Sequence, residues 1–157
     1  MAESLKKALR QKRAFESLEQ ATFLSIQRTA SVWMQVLAHR LKPFGLTPTQ
    51  YNVLRILRGA HPGSLTCGEV GERMVTAVPD VTRLIDRLVA RRLAWKGRDE
   101  ADRRIVRVEI SGQGLELLAE LDEKVLAWLE DLLAPLDQHE LETLCGLSEK
   151  ARRGRAE

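Results

Sequence analysis

Residues 81–114 read VTRLIDRLVARRLAWKGRDEADRRIVRVEISGQG, and the spacing of their apolar residues changes partway along. In the first part, apolar residues recur at the spacing of one helix face, at Val81, Leu84, Ile85 and Leu88. Over residues 105–110, apolar and polar residues alternate as in a half-buried strand, and residues 93–98 form a second candidate strand. The sequence therefore predicts a helix over about residues 79–91, followed by a two-stranded ribbon.

Two short helices are predicted upstream, because each of two segments starts with a capping-box pattern. The first begins at TPTQ, residues 47–50, where Pro48 also suits the first helical position. The second begins at TCGE, residues 66–69, and extends to about Met74. Helices joined by a turn and followed by a β-ribbon form a winged helix-turn-helix. The predicted fold class is therefore α+β, mainly α with a small β-hairpin wing.

Longer helices are predicted on both sides of this region. Helical spacing of apolar residues predicts one helix over about residues 14–41. Another should begin after Ser111 and run to about Leu133, and a last one should begin at DQHE, residues 137–140. The helix after Ser111 carries a heptad-like apolar seam, at Leu118, Leu121, Val125, Trp128 and Leu132. This seam indicates packing against a second copy of the chain or against the first helix of the same chain.

Composition excludes several classes of protein. The chain has 157 residues, 44% hydrophobic and 30% charged, which is typical of a globular protein and not of a disordered one. It has no uninterrupted apolar run of roughly 18 residues and no apolar secretory segment near its start, so we expect a cytoplasmic protein without a membrane span. Cys67 and Cys145 are too few and too far apart for a disulfide framework or a CxxC metal site.

Charge is distributed unevenly along the chain. Residues 80–107 hold nine Lys or Arg against five Asp or Glu, and residues 1–13 hold five against one. Residues 115–145 hold one basic residue against nine acidic ones. This asymmetry indicates a surface that faces a polyanion, although charge alone does not distinguish nucleic acid from lipid.

The helix over residues 79–91 carries a polar face opposite its apolar one. This face holds Thr82, Arg83, Asp86 and Arg87. Arginine can donate two hydrogen bonds to guanine in the major groove, and threonine can contact a phosphate or a thymine methyl group. A solvated charged face is the alternative, but the position of this helix in a helix-turn-helix favours DNA contacts by Thr82, Arg83 and Arg87.

The segment DEADRR, residues 99–104, separates the two predicted strands. Arg103 or Arg104 would suit a narrow minor groove, where the concentrated negative potential favours arginine. Asp102 could orient one of these guanidinium groups through a bidentate pair. The alternative is a charged loop that keeps the edge of the hairpin soluble. The sequence leaves open which arginine would enter the groove.

Residues 46–114 resemble the winged helix-turn-helix of the multiple-antibiotic-resistance regulator (MarR) family. The family's wing signature is roughly Asp, a short spacer, Asp-Arg-Arg, alternating apolar residues, Ser or Thr, and Gly. The matching residues here are Asp99, Asp102, Arg103, Arg104, Val106, Val108, Ile110, Ser111 and Gly114. The segment LTPTQYNVLRIL, residues 46–57, also resembles the family's second helix.

The resemblance implies a homodimer that binds pseudo-palindromic double-stranded DNA. It divides the chain into an N-terminal helix at 1–45, a DNA-binding domain at 46–111 and C-terminal helices at 112–157, with both terminal parts forming the dimer interface. It also implies that Asp86 pairs with a wing arginine, which we place at Arg104, and so orients the wing.

Some members of the family respond to small aromatic acids bound between the dimer helices and the winged domain. The resemblance suggests a corresponding pocket here, lined by Trp33, His39, Tyr51 and Arg55. Trp33 also fits a core position, and His39 fits an exposed one. Redox-sensing members have a reactive cysteine in the first helix, which this sequence lacks, so we expect no redox switch. No cofactor or metal is expected.

The resulting functional hypothesis is a repressor that binds operator DNA and is relieved by a small aromatic effector. The sequence contains no GxSxG, HExxH, P-loop or complete GxGxxG motif, so an enzyme is not expected. The alternative is a winged-helix module that binds another protein without binding DNA. Such a module would require an apolar patch on the outer face of the helix predicted over residues 79–91, where this sequence has charged residues.

Overall fold

The computed structural model describes residues 2–99 and 101–153, and this part of the chain is mainly helical. Its α-helices are α1 (Ala2–Ala8), α2 (Leu18–Leu41), α3 (Pro48–Ala60), α4 (Cys67–Glu72), α5 (Val81–Ala90), α6 (Gly112–Leu133) and α7 (Gln138–Arg153). A short 3-10 turn, Lys42–Phe44, follows α2. Its strands are β1 (Leu65–Thr66), β2 (Ala94–Arg98) and β3 (Val106–Ile110). The predicted fold class, mainly α with a small β wing, is confirmed.

The sheet has three strands where the sequence predicted two. The strand order is β1-β3-β2, and both pairings are antiparallel. Residues Ala94 to Arg98 of β2 pair with Ile110 to Val106 of β3, which makes the predicted ribbon. The additional strand, β1, pairs Leu65 with Val108 on the other side of β3. It was missed because two residues are too short to show a strand period.

The predicted capping boxes form as reciprocal hydrogen bonds. Thr47 Oγ1 accepts the backbone N–H of Gln50 at 3.2 Å, and Gln50 Oε1 accepts that of Thr47 at 3.0 Å. The same arrangement starts α4 and α7, between Thr66 and Glu69 and between Asp137 and Glu140. Each box satisfies two backbone donors that a helix start would otherwise leave without a partner.

Two helix starts differ from the prediction, and in each the start is set by a side-chain cap that was not predicted. Asp80 Oδ1 accepts the N–H of Arg83 at 2.9 Å, so α5 begins at Val81, and Pro79 lies ahead of the helix. Ser17 caps α2, so this helix starts four residues later than predicted. Helix α1 was not predicted.

The core of the winged part packs α3 against both α5 and β3. The fully buried side chains of these elements include Val53, Leu54, Ile85, Leu88 and Val108. Burial of its apolar face fixes α5 with its opposite face toward solvent. The core therefore determines which side of α5 is available to a partner.

The chain divides into two compact units, with the division between Glu116 and Leu117. The three-part division predicted from the sequence stays a prediction. In the second unit, Leu118 and Leu121 are 0% exposed and Val125 is 5% exposed. Because the chain's own atoms cover this part of the seam, its burial favours packing within the chain, the second of the two predicted alternatives. None of the helices in the described part is long and apolar enough to cross a membrane.

Candidate nucleic-acid interface

Helix α5 presents a polar face to solvent. Thr82, Arg83, Asp86 and Arg87 are all exposed, whereas Ile85 and Leu88 are buried. The Arg83 side chain is 80% exposed, and its Nε lies 3.5 Å from Asp80 Oδ2. An exposed pair of this kind holds an arginine only weakly, since its energy is typically about 0–1 kcal/mol. Arg83 is therefore accessible to an external acceptor.

Side-chain hydrogen bonds anchor the segments on both sides of α5. Ahead of the helix, Asn52 Oδ1 accepts the backbone N–H of Val75 at 3.0 Å, which ties the turn after α4 to α3. After the helix, the Arg91 guanidinium donates to the backbone carbonyl of Gly45, and to that of Phe44 at 3.1 Å. These bonds join both flanks of α5 to parts of the chain far away in sequence.

Asp86 joins α5 to the wing, but through a different partner from the one expected. Its Oδ1 accepts a hydrogen bond from Lys96 Nζ on β2 at 2.6 Å. This hydrogen bond is the main cause that raises the pKa of Lys96 above its usual value. The expected Asp86–Arg104 pair is therefore a wrong assignment, because Lys96 is the cation that lies within reach of Asp86.

The wing loop is held through its backbone, with arginine side chains at the surface. Asp102 Oδ1 accepts the backbone N–H of Arg104 at 2.9 Å. Arg98 Nη1 donates to the carbonyl of Arg103 at 3.1 Å. Asp102 thus contacts a backbone N–H, whereas the sequence suggested that it would contact a guanidinium group. Arg103 and Arg104 are both exposed.

Three cations that hold this site together were not predicted from the sequence: Arg91, Lys96 and Arg107. In the sequence they are evident only as part of the net charge. Lys96 carried a usable signal, since it has the same parity along β2 as the buried Ala94 and so occupies an inward position. A lysine at an inward strand position needs a nearby anion, which here is Asp86.

A small cavity of about 160 Å³ lies between α2, α3 and the turn after α4. Tyr51 and Arg55 line it together with apolar side chains such as Met34 and Val75. The Arg55 guanidinium carbon lies 6.0 Å from the centre of the Tyr51 ring. Two of the four predicted pocket residues are thus brought together here. The other two, Trp33 and His39, do not line this cavity; Trp33 is half-buried and His39 is exposed.

Comparison with known proteins points to one family. A sequence model described as the MarR family matches residues 44–105. YsmB of Bacillus subtilis, an HTH-type transcriptional regulator named as uncharacterized, is 29% identical over 117 residues, which make up 74% of this chain and 79% of YsmB.

Solved structures give the same result. A MarR transcription factor from Planctomyces limnophilus is 37% identical with a TM-score of 0.68, and the match covers 87% of this chain and 98% of that chain. BpsR from Bordetella bronchiseptica, whose DNA binding is described as regulated by 6-hydroxynicotinic acid, is 24% identical with a TM-score of 0.72. The BpsR match covers 81% of this chain and 95% of that chain.

Proposed function

The chain belongs to the MarR family of transcriptional regulators, and from this premise we propose that it is a homodimeric repressor that binds pseudo-palindromic operators in double-stranded DNA. The observation that carries the proposal is the exposed polar face of α5, which the Asp86–Lys96 pair joins to strand β2 of the wing. A helix that reads DNA must present hydrogen-bonding groups outward while its other face is fixed by a core. Helix α5 meets both conditions.

In this proposal, α5 and the wing read different grooves. Arg83 and Arg87 donate to guanine or phosphate in the major groove, and Thr82 contacts phosphate or a thymine methyl group. Arg103 or Arg104 enters the flanking minor groove, where negative potential favours a guanidinium. Asp86 contributes indirectly, since it fixes the wing relative to α5 through Lys96.

Two subunits are required because each subunit presents a single recognition helix. The unit that contains α2 leaves Phe23 61% exposed and Ile26 56% exposed on that helix. In the other unit, α7 leaves Leu147 exposed as well. Large apolar side chains in water favour association, and we propose that they contribute to the dimer interface. Two-fold symmetry then sets the half-sites one helical turn, roughly 34 Å, apart.

An effector for this regulator would fit the cavity lined by Tyr51 and Arg55. Its apolar lining suits a small aromatic ring, and the guanidinium of Arg55 in that lining suits a carboxylate. We therefore propose a small aromatic acid that weakens DNA binding. The proposed contribution of Trp33 and His39 to effector binding stays a prediction.

The central test selects duplexes from random-sequence DNA with the purified protein and titrates salt on a selected duplex. The selected sites should have two-fold symmetry, and the logarithm of affinity should fall linearly with the logarithm of salt concentration. Arg83→Ala and Arg87→Ala should each weaken binding by about 1–3 kcal/mol. Lys124→Ala on α6, which removes the same charge outside the winged part, is the matched control and should leave affinity unchanged.

Two results would contradict this function. A flat salt response would exclude phosphate contacts, and failure to select any duplex would favour the alternative of a protein-binding module. Selected sites without two-fold symmetry would exclude the proposed dimer on DNA. The direction of regulation needs a separate reporter assay, in which a selected site overlaps a promoter and the protein should lower its output.

A further inference from the structure

Arg107 lies on the central strand β3, with a neighbouring strand on each side. Its register partners are Thr66 on β1 and Gly97 on β2. The guanidinium reaches carboxylates on two different elements: Nε donates to Asp99 Oδ2 at 2.9 Å, and Nη1 lies 3.8 Å from Glu69 Oε2. The Arg107 side chain is only 34% exposed, so both interactions are partly shielded from solvent.

At one end of this bridge, Asp99 organises the start of the wing loop. Asp99 Oδ1 accepts the backbone N–H of Ala101 at 2.9 Å and that of Asp102 at 3.1 Å. The hydrogen bond from Arg107, followed by those from the loop backbone, lowers the pKa of Asp99. The carboxylate is therefore ionised at neutral pH, and it fixes the backbone immediately before Arg103.

At the other end, Glu69 belongs to the capping box of α4. The Oε2 atom that lies near Arg107 also accepts the backbone N–H of Thr66 at 2.7 Å. Hydrogen bonding to Thr66 is the main cause that lowers the pKa of Glu69, and the charge of Arg107 adds to it. Arg107 thus links the wing loop to the start of the first helix of the helix-turn-helix.

Resting on the DNA-binding function proposed above, we propose that Arg107 is a positioning residue that fixes the wing loop, so that Arg103 and Arg104 reach DNA in a preset orientation. It acts through Asp99 and does not itself contact DNA. A loop that is ordered before binding loses less conformational entropy when the complex forms, and this raises affinity. The planar guanidinium suits the task, because it presents several donors at once to different acceptors.

Two variants with opposite charge changes separate positioning from long-range electrostatics. Arg107→Gln removes a positive charge, whereas Asp99→Ala removes a negative one. Attraction between the whole protein and DNA would weaken with the first variant and strengthen with the second. Positioning predicts that both weaken binding to a selected duplex, by roughly 5- to 10-fold, the scale of one lost DNA contact.

Double-mutant cycles then test whether Arg107 acts through the wing arginines. In a background that lacks Arg103 and Arg104 (both changed to Ala), Arg107→Gln should change affinity by less than about 2-fold, because the groups it positions are gone. In an Arg83→Ala background, the matched control, its full effect should remain. Arg107→Gln should also reduce the salt dependence of binding, as the loss of the wing arginines should. If Arg107 had a purely structural role, its loss would leave the salt dependence unchanged.

The outcomes distinguish this inference from the proposed function. If the wild-type protein binds no DNA, both proposals fail. If it binds DNA and Asp99→Ala binds more tightly, or Arg107→Gln has the same effect with and without the wing arginines, only the positioning role fails. Unfolding in urea reports on the fold of each variant, and Asp99→Ala carries the test alone if Arg107→Gln does not fold.

Discussion

The carboxylate of Asp86 on α5 lies 2.6 Å from the ammonium group of Lys96 on β2, so an ion pair joins α5 to the wing. Asp86 is 53% exposed and Lys96 is 25% exposed, which limits the stability this pair can contribute to about 0–1 kcal/mol. Its larger effect is expected on geometry, since it connects the two elements that are proposed to enter different grooves.

Lys96→Met should therefore lower DNA affinity more than it lowers stability. We expect a loss of no more than about 1 kcal/mol in the free energy of unfolding. The loss in binding should reach about 1–3 kcal/mol, because a displaced wing forfeits a DNA contact. Urea unfolding and fluorescence anisotropy with a selected duplex measure the two quantities.

Lys124→Ala provides the matched control for Lys96→Met. Lys124 pairs with Glu120 at the same distance, 2.6 Å, but lies on α6 outside the winged part. This variant should show a similarly small change in stability and unchanged DNA affinity. Equal losses of affinity in both variants would show that the Asp86–Lys96 pair has no particular role in binding.

Gly114→Ala should strongly destabilise the fold at the junction between the wing and α6. Ser111 caps this helix, accepting the N–H of Gly114 at 3.0 Å and donating to the Arg92 carbonyl at 2.6 Å. A Cβ at position 114 would lie 2.2 Å from the Leu93 carbonyl oxygen and 2.8 Å from Ile110 Cγ1. Backbone on one side and a buried side chain on the other leave no room to adjust, so the loss should be about 3 kcal/mol.

Gly112→Ala in the same helix is the control for Gly114→Ala. A Cβ at position 112 would meet nothing within 4 Å. Alanine has the higher helix propensity, so this variant should keep or raise stability by up to about 1 kcal/mol in urea unfolding. If both variants were equally stable, the close packing inferred at Gly114 would be wrong.

The sequence predicted the elements whose determinants are local. A capping box such as Thr47 with Gln50 depends on residues three positions apart, and the structure contains it as predicted. Helix α5 and the β2–β3 ribbon were also predicted from the sequence, because the periodic spacing of their apolar residues extends over several residues.

Features that depend on contacts distant in sequence were missed or misassigned. Strand β1 exists only because Leu65 pairs with Val108, and two residues have no period of their own. Several cations lie near Asp86 in sequence and could have been its partner. Lys96 is the partner because the fold brings its ammonium group to the Asp86 carboxylate. The sequence also does not show which side chains of α2 face the cavity: Met34 and Leu37 line it, and Trp33 does not.

Gly45→Ala should weaken the link between the end of α2 and the end of α5. Gly45 has φ +67°, in the left-handed region that favours glycine, and a Cβ there would lie 2.9 Å from Arg91 Nη2. We expect a loss of about 1–3 kcal/mol in the free energy of unfolding, since both the backbone and the Arg91 contact are strained. Gly59→Ala, in helix α3 with open space around its Cβ, should instead be neutral or stabilising in the same urea experiment.

Acid should destabilise the network around Arg107, because the pKa values of Asp99 and Glu69 are both held below their usual range. A carboxyl group whose pKa is depressed on folding contributes stability above its unfolded pKa, and this contribution is lost as the pH falls through its folded pKa. The free energy of unfolding should therefore decline as the pH is lowered through about 4 and below.

Asp99→Asn should reduce the acid dependence of stability, because the substituted amide does not titrate in this range. The measurement is urea unfolding of wild type and variant at a series of pH values from neutral to acid. The two stability curves should differ most at neutral pH, where the wild-type carboxylate is ionised and accepts the hydrogen bond from Arg107. They should converge in acid, since protonation then removes the same charge from the wild type. A constant difference between the curves at every pH would show that the charge of Asp99 adds nothing to the stability of the wing.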